Sequence, residues 1–389
     1  MSIMTSRRDF IRIAGISGAA LVSNGMTGWN PSDGALRFIN PIDGDMLNER
    51  DGSFSKEGLY IPVVIGAASD SKIIINGIEA RYRADGFMAD ILLKKYKNLI
   101  EVYDAKTGTR QSMIVYWLKN YINRYRLSLD DNIWFLQDIA ENSLKYKSLF
   151  ENPYLGFFRQ LHDIYGTKVH INIYYQTDGF NLSQMPVKYK SEWRDNSGWL
   201  RLSFHALQND PDNPYMKAGY DVVKRDCDKV MEQIRRFAGE ELMGPVTTLH
   251  WGEATVDGSR ALRDSGYLAQ VSDFVLRDGK HSISMYLDLE QTRHMNDRLV
   301  WKDNRENIIF SKISIVLNSH KVEEIVPFLD ELKTDPHKSA YMDLLMHEQY
   351  FYPFYRSYQP DFRSKVTTGV KWAADNGYTP AFLSECVFG

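Results

Sequence analysis

After Leu118 the chain alternates short apolar stretches with amphipathic stretches over about 270 residues. This alternation predicts a parallel sheet covered by helices, because each crossover between parallel strands needs a covering element. The length and the number of strands favour an α/β fold, a distorted (β/α) barrel over residues 119–389. The predicted strands cover residues 124–129, 169–175, 200–204, 246–249, 282–289, 308–317, 342–346 and 380–383.

The stretches between these strands carry helix signals. Asn152 and Pro153 predict a helix start, and Gly166 predicts its end. Further helices are predicted over residues 221–237, 322–332 and 365–374, each with apolar side chains recurring on one face.

Residues 59–118 have a different rhythm, with short β-rich runs separated by turns such as Asn76-Gly77. That spacing predicts a small β-sandwich domain, preceded by a linker over residues 31–58. The strings Ile75-Asn76-Gly77, Asp85-Gly86-Phe87 and Lys97 to Val102 resemble the immunoglobulin-like accessory modules of secreted bacterial carbohydrate enzymes. The region carries no catalytic group, so we expect a structural role.

The first 30 residues have the pattern of an export signal. The run from Ser6 through Arg7, Arg8 and Phe10 leads into a short apolar stretch over residues 13–22. This resembles a bacterial twin-arginine signal, which implies passage through the twin-arginine export machinery and a location in the periplasm or cell envelope. No later stretch is apolar for long enough to span a bilayer, so no transmembrane segment is expected after signal removal.

Composition excludes some functions. A net charge of −3 offers no broad positive field, so a nucleic-acid partner is not expected. Only Cys227 and Cys386 are present, which excludes a disulfide framework and a cysteine-based zinc motif. The two thiols either pair in an oxidising compartment or remain separate.

Ionisable side chains follow several predicted strands. Asp130 and Asp131 follow the first strand, and His205, His250 and His347 each follow a later one. Reactive groups of (β/α) barrels gather at the carboxyl ends of their strands, so these residues are expected to share a site. Adjacent carboxylates resist joint ionisation unless a cation or a shared proton relieves them. The alternative for the aspartates is a helix cap with one side chain facing water.

These residues resemble the metal-dependent polysaccharide deacetylases, the NodB-homology carbohydrate esterases. Ser128-Leu129-Asp130-Asp131-Asn132 is similar to the family's Thr-Phe-Asp-Asp-Gly motif, and Leu345-Met346-His347 is similar to its late Leu-x-His motif. The resemblance implies that Asp130 is the catalytic base, His347 the catalytic acid, and Asp131 and His205 are ligands of a divalent metal such as zinc. The implied reaction is metal-dependent removal of acyl groups, such as acetyl, from a carbohydrate.

The chain departs from the family at its second histidine motif, where Asn209 stands in place of a ligand. His250 is the expected substitute as third metal ligand. Two alternatives stay open: a glycoside hydrolase or lyase that acts through carboxylates, and a catalytically inactive glycan-binding relative. Side chains expected to contact the substrate are Asn209, Trp251, Glu348 and Tyr350.

Overall fold

The computed structural model describes residues 35–389 except 84–85 and 278–279. The expected twin-arginine signal over residues 1–30 lies outside the described residues. The strands are β1 Arg37–Asn40, β2 Met46–Leu47, β3 Ser53–Ser55, β4 Gly58–Gly66, β5 Ile73–Ile75, β6 Ile78–Glu79, β7 Arg81–Arg83, β8 Gly86–Leu93, β9 Lys97–Asp104, β10 Arg110–Trp117, β11 Arg124–Asn132, β12 Val169–Tyr174, β13 Gln176–Thr177, β14 Phe180–Asn181, β15 Leu200–Ala206, β16 Val246–Thr248, β17 Ala269–Ser272, β18 Val275–Arg277, β19 Lys280–Ile283, β20 Val300–Asp303, β21 Ile308–Lys312, β22 Ile315–Val316, β23 Tyr341–His347 and β24 Thr379–Pro380. The α-helices are α1 Trp134–Glu141, α2 Pro153–Tyr165, α3 Lys190–Asp195, α4 Tyr220–Phe237, α5 Val256–Asp264, α6 Leu289–Arg298, α7 Val322–Lys333, α8 Phe362–Asp375 and α9 Ser384–Val387.

Strands β1 to β10 form two five-stranded sheets, which we call the N-terminal sheets. One sheet has the order β1-β4-β8-β7 with β3 on β4, and the other has the order β2-β10-β9-β5-β6. Their inward side chains share one hydrophobic cluster, which includes Ile61, Ile75 and Val115.

Residues 37–55 are not a linker, contrary to expectation. Strand β1 pairs with β4, β3 pairs with β4, and β2 pairs in parallel with β10, so this segment is built into the N-terminal sheets. The strands are two to four residues long, too short for hydrophobic alternation to indicate them in the sequence.

The rest of the chain forms two mainly parallel sheets covered by helices, with the orders β15-β12-β11-β23-β22 and β16-β17-β21-β20. The expectation of a closed or nearly closed barrel needs correction, because the described strands form no continuous ladder from β15 to β16 or from β21 to β22. Side chains bridge the first gap: the Thr247 hydroxyl donates to the Phe204 carbonyl oxygen. At the second gap, Ile313 bonds to β17 and Ser314 to β23 through their backbone N–H groups.

The strands differ from the expected ones at several places, including the predicted strand 308–317, which is divided into β21 and β22 of different sheets. Residues 282–289 were expected to form one strand, but β19 ends at Ile283 and α6 begins at Leu289. Strand β17 was not expected; its four residues are too few to show alternation. The α2 prediction is confirmed: the Asn152 side chain accepts the N–H groups of Tyr154 and Leu155, and Gly166 ends the helix at φ 68°.

Polar and apolar side chains alternate along most of the strands of the first sheet. In β11, Leu127 and Leu129 pack outward against the helices, whereas Arg126, Ser128 and Asp130 face inward and are buried. Strands β12 and β15 repeat this pattern, and β23 does so except at Leu345, an apolar side chain on the inward face. The interior enclosed by the sheets is therefore polar, unlike the branched aliphatic interior usual for such folds.

A separate hydrophobic cluster covers the amino ends of the parallel strands. It joins Val246, Ile309 and Tyr341, from the start of three strands, to Met46 and Tyr116 of the N-terminal sheets. Ion pairs border this contact, including Asp45 with His294 and Asp51 with both Arg298 and His337. The N-terminal sheets therefore close the end of the fold opposite the strand exits.

Among the described residues, no helix combines the length and apolar character needed to cross a membrane.

Candidate metal centre

A β-bulge at the end of β11 brings two adjacent aspartates into one site. The pairing of β11 with β12 shifts register between Leu129 and Asn132, and Asp131 has φ 63°. Consecutive residues of a regular strand point to opposite faces, but the extra residue of a bulge re-aims a side chain. Both carboxylates consequently reach the interior, where Asp131 meets His205 and His250.

Backbone carbonyl groups hold the two histidines in defined orientations. Nδ1 of His205 lies 2.5 Å from the Thr248 carbonyl oxygen, and Nε2 of His250 lies 3.0 Å from the Asn209 carbonyl oxygen. A carbonyl oxygen only accepts, so each of these ring nitrogens carries the hydrogen. In the neutral rings, His205 Nε2 and His250 Nδ1 then present lone pairs.

These two lone pairs face the Asp131 carboxylate. Asp131 Oδ1 lies 3.1 Å from His205 Nε2 and 3.1 Å from His250 Nδ1, and the two ring nitrogens lie 3.2 Å apart. All three side chains are buried. Three acceptor atoms this close repel one another unless a cation or a proton lies among them. Burial opposes protonation of His205, but Asp130 and Asp131 outweigh burial and raise its pKa.

The donor set fits a divalent cation. The candidate ligand atoms of Asp131, His205 and His250 all lie within 4.8 Å of one another. Two imidazoles and one carboxylate suit Zn²⁺, and the same set also suits Fe²⁺. Ligands about 2 Å from a tetrahedral Zn²⁺ lie roughly 3.3 Å apart, close to the separations found here. The backbone carbonyls that hold the histidines are the outer partners expected of metal-binding imidazoles.

Asp130 lies beside this cluster in a different environment. Its Oδ1 accepts a hydrogen bond from Asn172 Nδ2 at 2.6 Å and a longer one from the Ser128 hydroxyl at 3.3 Å. Burial raises its pKa to about 6; the Asp131 charge acts in the same direction, while His205 and Arg126 oppose the rise. Asp130 thus exchanges a proton more readily near neutral pH than an exposed aspartate does.

His347 lies next to Asp130 across the sheet. The two residues are directly paired between β11 and β23, and Asn318 Oδ1 lies 2.8 Å from His347 Nδ1. Both line a cavity of about 100 Å³. The remaining wall of this cavity includes His205, His250, Trp251, Ser272, Asp273, Ile283, Ile313, Val316 and Leu345.

The residues expected to contact a substrate lie in different places. Trp251 lines the cavity, and Tyr350 is buried with its ring near His347. The Asn209 side chain accepts a hydrogen bond from Gln349 Nε2 at 2.8 Å. Glu348 is fully buried and holds the start of α1, so a substrate role for it is wrong.

The contacts of Glu348 explain this correction. Its carboxylate accepts the backbone N–H groups of Ile133, Trp134 and Phe135 at 2.6, 3.0 and 2.6 Å. Ile133 is the N-cap residue of α1, and Trp134 and Phe135 are its first two residues; N–H groups at this end have no partner within the helix. Glu348 therefore caps the helix that follows the aspartate pair.

Sequence reasoning did not single out Tyr174 or Asn172. Both lie on the inward face of β12; Asn172 supports Asp130, and the Tyr174 hydroxyl donates to Asp131. The alternation His170, Asn172, Tyr174 against Val169, Ile171, Ile173 was the available signal. It marks one polar face on a strand whose other face is apolar.

No protein-family model and no curated protein matches this chain. The likenesses are to solved structures. The structure of a protein from Mycobacterium smegmatis, assigned as a polysaccharide deacetylase, is 10% identical in sequence to this chain. The match covers 68% of this chain and 89% of that chain, with a TM-score of 0.41. A mutant of a CE4 family pseudoenzyme with restored enzymatic activity is 9% identical, with 73% and 79% covered and a TM-score of 0.32. Sph3 of Aspergillus clavatus in complex with GalNAc is 10% identical, with 66% and 98% covered and a TM-score of 0.31. Likenesses at these TM-scores carry no argument about activity.

Proposed function

We propose that this chain is a metal-dependent hydrolase that removes acyl groups, such as acetyl, from a carbohydrate. The observation that carries the proposal is the convergence of the Asp131, His205 and His250 acceptor atoms, buried beside a second carboxylate. The motif resemblance of Asp130-Asp131 and of Leu345-Met346-His347 supports the choice of reaction.

The proposed roles follow from position. Asp131, His205 and His250 would hold the cation, which when bound supplies a Lewis acid and lowers the pKa of a water molecule. Asp130 is the proposed base, because its carboxylate lines the cavity and its pKa is raised toward neutrality. His347, on the neighbouring strand, is the proposed acid that protonates the leaving amine or alcohol.

Asn172 and Asn318 orient the two proton-transfer groups. Asn172 Nδ2 donates to Asp130, whose side chain lines the cavity. Asn318 Oδ1 accepts from His347 Nδ1, which fixes the hydrogen on that nitrogen and directs Nε2 away from Asn318. The apolar side chains Leu345, Ile313 and Val316 exclude water from part of the cavity wall.

The test is metal analysis combined with acyl release. Purified protein loaded with Zn²⁺ is assayed for acetate release from acetylated chito-oligosaccharides and acetylated xylan. We expect one equivalent of metal, release that a chelator abolishes, and loss of both in Asp131→Asn. His162→Ala is the control, because His162 lies on α2, where its ring bonds the Thr167 carbonyl oxygen and stacks on Trp199 rather than contacting the cluster.

Each contrary result is informative. Glycan cleavage that survives chelation would replace the proposal with the carboxylate-based glycoside hydrolase or lyase. Glycan binding without turnover, equal in wild type and His205→Ala, would indicate a non-catalytic binding protein. A wild-type protein that binds no divalent metal would refute the metal centre itself.

We also propose a periplasmic or cell-envelope location, on the resemblance of residues 1–30 to a twin-arginine signal. Replacing Arg7 and Arg8 with Lys should retain the protein in the cytoplasm, as measured by cell fractionation. Unchanged export of that variant would contradict the proposal.

A further inference from the structure

Tyr174 lies inside the cluster of candidate ligands. It is buried at the end of β12. The centroid of its ring lies 5.2 Å from that of His250, in an edge-on arrangement, and 5.3 Å from that of His205, in a tilted one. Its hydroxyl donates to Asp131 and lies 3.0 Å from His250 Nδ1.

The position of this hydroxyl distinguishes two roles. A residue that only orients a metal ligand contacts its outer atom, as the Asn209 carbonyl contacts His250 Nε2. The Tyr174 hydroxyl instead reaches Asp131 Oδ1 and His250 Nδ1, the two atoms that face the proposed cation. The Tyr174 hydroxyl therefore lies among the candidate ligand atoms.

Asn209 does not take that place. Its side-chain oxygen is bonded by Gln349, and it is 3.4 Å from the Tyr174 hydroxyl. The neutral amide is also a weaker ligand than a phenol oxygen that has lost its proton.

We infer that Tyr174 is the fourth protein ligand of the metal centre, binding through its phenol oxygen. The inference rests on the proposed metal-dependent function. On coordination the phenol proton passes to solvent and the O–metal bond forms, with no change of oxidation state. Four protein ligands would leave substrate or water to enter as a fifth partner, an expansion that catalytic zinc sites undergo.

Fe³⁺ provides a test that does not depend on turnover, because phenolate coordination produces a visible charge-transfer absorption. Wild type, Tyr174→Phe and Tyr154→Phe are loaded with one equivalent of Fe³⁺ and their bound iron is quantified. Tyr154 is the matched control: it is equally buried, and its hydroxyl bonds Asn132 rather than the cluster. We expect the band in wild type and Tyr154→Phe, and its loss in Tyr174→Phe that still binds iron.

Other results overturn the inference. A band of equal strength in Tyr174→Phe would assign the colour to another tyrosine. Bound iron without a band in wild type would exclude Tyr174 coordination while leaving the proposed function intact, whereas no bound metal of any kind would refute both. If Tyr174→Phe fails to fold, resonance Raman spectra of loaded wild type decide, because only a coordinated phenolate gives enhanced ring vibrations.

Discussion

Replacing Glu348 with Ala should destabilise the fold strongly while leaving the proposed cation ligands intact. The substitution removes the acceptors of three backbone N–H groups at the start of α1. Each unsatisfied buried donor costs about 1–3 kcal/mol, and partial entry of water offsets some of this, so we expect a loss of roughly 3–4 kcal/mol.

Glu348→Gln separates the hydrogen bonds from the bulk of the side chain. Ile133 and Trp134 donate to one carboxylate oxygen, and Phe135 donates to the other. An amide keeps one oxygen but places an NH₂ group against the third donor. We therefore expect this variant to lose about 1–2 kcal/mol, between wild type and Glu348→Ala.

The assay is urea unfolding followed by circular dichroism at about pH 8. Burial raises the pKa of Glu348 to about 7, so at that pH the carboxylate form is the one compared. Glu141→Ala, at the exposed far end of α1, is the control and should change stability by less than about 0.5 kcal/mol. Equal unfolding midpoints for wild type and Glu348→Ala would refute the capping role.

Three further predictions concern other parts of the fold. Arg126→Met should cost about 3–5 kcal/mol in urea unfolding, because Asp343, 3.7 Å away, is left buried without its partner, and adding Asp343→Leu should restore most of the loss. His205→Ala should weaken Zn²⁺ binding by more than about 100-fold in a chelator competition, beyond the loss usual for an outer partner, and an unchanged affinity would remove His205 from the ligand set. Burial raises the pKa of Glu253 from 4.5 to about 7, so its folded-state proton stabilises the protein at low pH and this contribution fades as pH rises through that window. Glu253→Gln should therefore gain thermal stability relative to wild type between about pH 5 and pH 8, and parallel profiles would contradict the assignment.

The sequence predicted where reactive side chains lie along the chain better than how they meet. Short apolar stretches between amphipathic ones located β11, β12, β15 and β23, and the carboxyl-end rule of parallel sheets selected His205, His250 and His347. Alternation of polar and apolar residues shows which side chains share a face of a strand, and it can be recognised only in strands of about five residues or more. The short strands β1 to β3 and β17 escaped it for that reason.

The convergence of Asp130 and Asp131 was not predictable from alternation. It depends on a bulge and on the positive φ of Asp131, a conformation that an aspartate adopts more readily than most residues but that its identity does not dictate. Glu348 was misassigned for a related reason: its partners are backbone groups 213 to 215 residues away. In the sequence Glu348 is adjacent to His347, the proposed catalytic acid, whereas in the fold its carboxylate accepts the N–H groups at the start of α1.

The apolar contact at the amino ends of the strands determines whether the N-terminal sheets can be separated from the rest of the chain. Met46 and Tyr116 bury side chains at the amino ends of the parallel strands, and Tyr96 donates to the Val387 carbonyl oxygen near the chain end. A fragment beginning at residue 119 would expose this apolar surface to water. It would also leave His294, Arg298 and His337 without their partners Asp45 and Asp51. The N-terminal sheets are consequently part of the packing that supports the site. Exchanging them for an unrelated binding module would require the apolar surface at the amino ends of the strands to be redesigned.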